Sequence, residues 1–347
     1  MIFIHHSAAI SPQESFGKIN LDLLHEYGQN KLHVIEPKYE GIPQGALRRM
    51  GKAVKIGVGA AISLLSQNGP VQGIIIGTAH GGLEDCIKFL NQIVEYEEGL
   101  LAPGNFVQST ANAIAAQLGM MTANKCYNIT HVHRGLAFEN ALIDAFMLIR
   151  EYPTHQYLIG GVDEISSYNF NIDRLDGWYK KEAVINKDLY KANSAGSMAG
   201  EGAAAFLVNG EKKAALATVE AIHVFHTREA EKVSFEISAF LKKYVQNGRQ
   251  IDLLISGENG DCRMTAFYEA CEQQMDALCT ISRYKHMCGE YPTASAMALW
   301  LACQILKTHD IPQHMIKKNG KKGPVRTILI YNNFKEVQHS LVLVSGI

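Results

Sequence analysis

No apolar run in the sequence reaches the roughly 20 residues that a membrane-crossing helix needs. No basic block is present either. The 33 Lys and Arg nearly balance the 34 Asp and Glu, for a formal net charge of −1, which argues against a nucleic acid or an anionic membrane surface as partner. The opening residues, MIFIHH, lack a basic segment and a full apolar segment, so they read as a first strand rather than a secretory signal. Cysteines in CxxC spacing are missing. The seven cysteines, at positions 86, 126, 262, 271, 279, 288 and 303, are odd in number and scattered. That spacing argues against a zinc site and against a disulfide framework, and for reduced, mostly buried thiols in a cytoplasmic protein. There is no low-complexity tract and no short repeat.

What is present is ordinary in bulk and informative in order. The 347 residues, 47% hydrophobic and 19% charged, suffice for one large domain or two fused halves around a sizeable core. Strand-like runs at 71–77 (VQGIIIG), 126–130, 157–161 (YLIGG), 202–208 (GAAAFLV), 251–256 (IDLLIS) and 327–331 (TILIY) alternate with helical patterns. The helical patterns cover 83–96, 109–120, 136–150, 230–245, 264–279 and 293–306. Such alternation predicts an α/β fold with buried mixed or parallel sheets. The polar stretch 168–191, rich in Asp, Asn and Lys, is the expected connector between halves, with residues 1–187 forming an N-terminal half and 188–347 a C-terminal half.

Several motifs then fall in the order of a β-ketoacyl synthase of the thiolase-like superfamily. IGTAHGGLE at 76–84 resembles its first Gly-rich strand end, and 106–112 resembles the segment before the nucleophile strand. GGVDE at 160–164 is similar to the GG-x-[DE] strand end, GEGAA at 200–204 to the GEGA motif opening the second half, and KHMCGE at 285–290 to K-x-x-x-G-H. The resemblance runs from about residue 71 to the C-terminus. It implies a thiolase-like five-layered αβαβα sandwich of two similar halves, dimerisation, and no cofactor or metal.

In that family a Cys carries the acyl chain, two His bind and decarboxylate the malonyl unit, and a Lys supports the site. Matching on Gly135 places Val132 at the Cys position. SGENGD at 256–261 stands for N-A-H-G-T-G and puts Glu258 at the first His position; Glu290 stands at the second, and Lys285 is retained. The Gly-rich C-terminal motif reads NNFKEV at 332–337, which keeps Phe334 but not the glycine turn. Valine has nothing to ionise, whereas a thiolate nucleophile needs sulfur and a lowered pKa. Imidazoles can donate to a developing enolate; ionised carboxylates only accept. Two glutamates would repel a malonyl carboxylate by several kcal/mol if desolvated. Three changes in one direction exclude ordinary Claisen condensation as the expected chemistry.

Other readings of these residues are blander. His131 and His133, two apart on a strand end, face one side and are expected to line a tunnel or to be structural, since spacing offers no third metal ligand. Together with Val132, Asn112 and Phe334 they are the expected acyl-tunnel or pseudo-active-site residues. Glu258 and Glu290 are expected to bond backbone or pair with Lys285 or Arg134, with an acid/base pair as the alternative. Cys288, inside the Lys285 motif, is the one alternative nucleophile.

The resemblance implies a nucleophile-less chain-length factor that pairs with an active ketosynthase, or with itself, and meets an acyl carrier protein. The chain alone would then not be an enzyme. The short start fits this expectation, because active synthases of the family run longer. HRG at 133–135 with FENAL at 138–142 is similar to the short ketosynthase-like proteins of bacterial aryl-polyene and flexirubin-type pigment clusters. The alternatives are an active condensing enzyme or acyltransferase with Glu258 as base, and a carrier-protein-binding scaffold.

Overall fold

The computed structural model describes every residue except Leu100, Ala102, Asn247 and Lys322. Ten principal strands are β1 (Ile2–Ile10), β2 (Gly73–Gly77), β3 (Tyr127–His131), β4 (Tyr157–Asp163), β5 (Gly202–Asn209), β6 (Ala217–His226), β7 (Leu253–Ser256), β8 (Thr280–Arg283), β9 (Thr327–Phe334) and β10 (Gln338–Ser345). They run as one sheet, with the short strand Ile316–Lys318 added outside β8, in the order β8-β7-β9-β10-β6-β1-β5-β4-β2-β3. This order repeats: β1-β5-β4-β2-β3 is matched by β6-β10-β9-β7-β8. The senses repeat too. β1 and β6 each pair antiparallel with the next strand of their set, and the three strands beyond are mutually parallel. β1 joins the sets through a brief antiparallel pairing with β6 over Ile2–Ile4.

The α-helices of six or more residues are α1 (Lys52–Asn68), α2 (Leu83–Glu95), α3 (Pro103–Gln108), α4 (Ala113–Met121), α5 (Ala137–Glu151), α6 (Ser167–Leu175), α7 (Ala230–Tyr244), α8 (Thr265–Glu272) and α9 (Ala294–Thr308). Strand residues alternate between faces, and this sorts the core into layers. Ile75 and Leu253 face the middle layer with α5 and α9. Ile74 and Ile76 face α1 and α4. Leu254 and Leu329 face α7 and α8. The result is the five-layered αβαβα sandwich.

Some expectations are corrected. Strand β5, carrying GEGA, pairs with β1 and β4 and so belongs to the first strand set. The change of set falls at 210–216, not at 187/188, and the stretch 168–191 includes α6 and lies upstream of β5. The helix expected over 264–279 stops at Glu272, and β8 begins at Thr280.

The Gly-rich motifs are backbone contacts. A Cβ on Gly200 would overlap the Cys288 carbonyl and Gly289, whose φ of +74° favours glycine. Here the Gly200 amide donates to the Glu290 carbonyl (3.0 Å), and the Glu290 amide donates to Met198 (2.7 Å). The buried Glu201 side chain accepts from the Val34 and Ile165 amides (2.9 Å each) and pairs with Lys52 (2.6 Å). Asp163 accepts from the Ala79 and His80 amides (2.9 and 2.8 Å) and from the Thr293 hydroxyl (2.8 Å), tying the β2–α2 turn to the start of α9.

Candidate functional site

β3 is the last strand of its set and pairs on one side only, with β2. Beyond His131 the chain turns through Val132 and His133 into a 3-10 turn at Arg134–Leu136 and then α5. Arg134 holds φ +48°, an uncommon value for a side-chain-bearing residue. Val132 is 56% exposed. It projects from the surface of this chain and has no group that could be ionised by the helix behind it.

The neighbouring imidazoles are both used by α5. His131 Nε2 lies 2.9 Å from Asp144 Oδ2, which also accepts from the Tyr127 hydroxyl (2.9 Å). His133 Nδ1 lies 2.8 Å from Asn140 Nδ2, and its ring sits 5.9 Å from that of His226. Residues 140 and 144 are four apart on one helix face, so the two histidines dock the turn on α5. Asn112, at the start of α4, accepts from the Thr130 hydroxyl (3.1 Å) and is exposed.

Behind the turn, Phe334 packs on Gly135, where a Cβ would overlap the phenyl ring. The Gly135 amide donates to Gln338 Oε1 (3.0 Å). Phe334 ends β9, and the hairpin to β10 turns at Lys335 and Glu336, with φ of +50° and +65°. Both central residues therefore take the left-handed conformation usual for a tight hairpin, here without glycine.

On the other side of Phe334 lies a cavity of about 20 Å³, lined also by Asn259, Glu290, Trp178 and Lys335. That is about the space of one water. Glu290 is held there from two sides. The fully buried Lys285 Nζ sits 2.6 Å from Oε1, and Asn259 Nδ2 donates to Oε2 (2.8 Å). Loop 257–261 is itself pinned by the buried Lys180, whose Nζ donates to the Gly260 carbonyl (3.0 Å) and to Ser194 Oγ (2.9 Å).

Glu258 and Glu290 do not share a pocket. Glu258 points outward, to Arg283 (3.1 Å) and Lys317 (2.6 Å), and Lys317 also pairs with Glu272 (2.7 Å). Asn259 is the residue that meets Glu290. Gly260, with φ +77°, is the turn glycine that directs Asn259 inward. Nor does Glu290 pair with Arg134. Cys288 is fully buried, its thiol is directed to the Tyr284 and Gly289 carbonyls, and burial pushes it up to about 12. At neutral pH it is a protonated core thiol rather than a nucleophile.

Residues 26–174 match the model described as beta-ketoacyl synthase, N-terminal domain. No curated protein matches the chain. Among solved structures, the ishigamide ketosynthase/chain length factor superposes with a TM-score of 0.79 at 14% identity, over 100% of this chain and 99% of that one. A chain of the ketosynthase ApeO in complex with its chain length factor ApeC from Xenorhabdus doucetiae gives 0.78 at 13% identity, over 100% and 98%. A beta-ketoacyl synthase from Burkholderia phymatum STM815 gives 0.77 at 13%, over 100% and 99%. Residues 26–174 thus match the N-terminal domain of the β-ketoacyl synthase family, and the ketosynthase fold extends over the full length of the chain.

Proposed function

We propose that the chain is a catalytically degenerate ketosynthase-like subunit that acts as chain-length factor for an active ketosynthase. The pathway class would be polyketide- or fatty-acid-type synthesis of an aryl-polyene-like pigment, in the cytoplasm, on chains carried by an acyl carrier protein. The observation that carries this reading is the sealed pocket. Lys285 and Asn259 occupy Glu290 in a cavity of about 20 Å³, while the nucleophile position holds an exposed valine. An acyl chain has no room there, so a contribution to a shared tunnel would be made at the surface.

That surface suits a partner. The open edge of β3 is flanked by the exposed Tyr127, Val132 and Met147, and Leu90, Val94, Phe106 and Val107 are exposed on α2 and α3. An unpaired strand edge and clustered exposed apolar side chains both favour association. Among the described residues no helix is long and apolar enough to cross a membrane. Glu258, held in two ion pairs, is poorly placed to serve as a general base. A sealed pocket also suits a carrier-protein-binding scaffold, and one experiment separates the two. The chain is co-expressed with a candidate ketosynthase and products are analysed by mass. A stable heterodimer whose product length shifts with Val132→Trp supports the chain-length factor. Unchanged lengths favour the scaffold, and a homodimer that condenses malonyl units alone overturns both.

A further inference from the structure

β6 pairs with β1 only over Ile2–Ile4, after which β1 is irregular between Ile4 and His6 and runs on to Ile10 against β5 alone. Beside the edge thus left open lies a cavity of about 740 Å³. This is within the range of small-molecule sites, about 300–1,000 Å³. It is far larger than the remnant cavity at Glu290 and shares no lining residue with it. Ala8, Phe16 and Tyr39 line it, with Ile62 from α1, and it reaches Trp300 of α9, a fully buried residue of the middle layer. A Cβ on Gly59 would overlap the Tyr39 ring, so glycine there lets the ring lie against α1 as a wall.

Three polar atoms of the lining side chains, Ser7 Oγ, the Tyr39 hydroxyl and Trp300 Nε1, are buried without a hydrogen-bond partner among the described residues. Buried polar groups in folded proteins are nearly always paired. An indole N–H can only donate, and a hydroxyl can donate as well. The charged side chains lining the cavity, Lys38 and Glu40, are exposed at its mouth. A group that satisfies the deep end is therefore an uncharged acceptor, and the remaining walls favour an apolar body.

We propose that this cavity is a ligand site, separate from the degenerate ketosynthase pocket, for a small apolar molecule ending in an uncharged carbonyl acceptor. Titration calorimetry of the intact chain with octanamide tests it, with octylammonium, which can only donate, as the control. Saturable 1:1 binding of octanamide, at least tenfold tighter than octylammonium, is expected. Ile62→Trp, which fills the cavity from the half-buried face of α1, abolishes binding with the fold intact by circular dichroism. Ser7→Ala weakens binding about fivefold, one hydrogen bond's worth. Failure of octanamide to bind at 1 mM would overturn the proposal, as would equal binding of octylammonium or undiminished binding to folded Ile62→Trp. None of these outcomes bears on the Val132→Trp product assay.

Discussion

Glu290→Gln measures how completely the pocket around Lys285 is sealed. Lys285 is fully buried, and its ammonium lies 2.6 Å from Glu290. At an effective dielectric constant near 20, the attraction of two such charges is about 6 kcal/mol before desolvation is subtracted. The net worth of the pair is much smaller, because removing both charges from water costs a comparable amount. Removing one partner is different. It strands the other charge in the interior, at a typical cost of about 3–5 kcal/mol. For 347 residues, an unfolding entropy near 2 cal/mol/K per residue converts this to a fall in Tm of about 4–7 °C. Lys285→Met, which strands the carboxylate, should cost a similar amount. The double variant removes both charges and should lie within about 2 kcal/mol of the parent, giving a coupling of 2 kcal/mol or more in a urea-unfolding cycle. If Glu290→Gln cost less than 1 kcal/mol and the cycle were additive, water would be reaching Lys285. The sealed-pocket argument for the proposed function would then fail.

Three further outcomes follow from the same geometry. Glu164 is pushed up to about 7 by burial, with Asp85 and Glu201 adding to the effect. Because its pKa is raised, the folded state binds the extra proton, so stability is full below about pH 4.5 and falls as pH rises to 7, by roughly 3 kcal/mol; Glu164→Gln should flatten that slope in denaturant melts taken across the range, and an unchanged slope would refute the assignment. Gly135→Ala drives a methyl into the Phe334 Cβ and ring and should cost about 1–3 kcal/mol, most of it relieved in combination with Phe334→Gly, which removes that Cβ; additive losses in thermal melts would show that the two do not touch. Val132→Cys should give a thiol that iodoacetamide labels readily, since the position is 56% exposed, with no malonyl condensation by the chain alone; turnover would show that the nucleophile was the only missing part.

The parts of the fold legible in the sequence were those whose pattern was local. Buried runs such as 73–77 and 157–162 carry no charged residue and are bounded by glycine or polar residues, as sheet strands covered on both faces are. Helix α1 was missed for the opposite reason. Its KAVKIGVGAAISLLSQN is rich in glycine and β-branched residues, which lower helix propensity. Tertiary packing overrides this: Gly57 fits under Ile114 and Val162, and ten of its residues are buried. β6 and β10 were missed because their inner and outer faces are both partly polar, as in ATVEAIHVFH and QHSLVLVS. In the site, Glu258 and Asn259 are adjacent in sequence but point apart, so the pattern of residues 256–261 did not show which of the two meets Glu290.

The motifs present and the residues absent divide along a physical line. GG-x-[DE], GEGA and the glycine of KHMCGE act on backbone: Asp163 accepts from three amides, Glu201 from two more, and Gly200 lies against Gly289. Their loss would cost the fold whatever the chain does. Cys and the two His of the related synthases would act on substrate, and nothing in the packing requires them. Lys285 fits this division through its new partner. A fully buried ammonium needs a counter-ion, and Glu290, five residues on, supplies it. The Glu290 carboxylate is thus the group that makes the buried lysine tolerable, and replacing either one alone leaves a buried charge unpaired. Glu290→His would for this reason cost stability, whatever it did to activity.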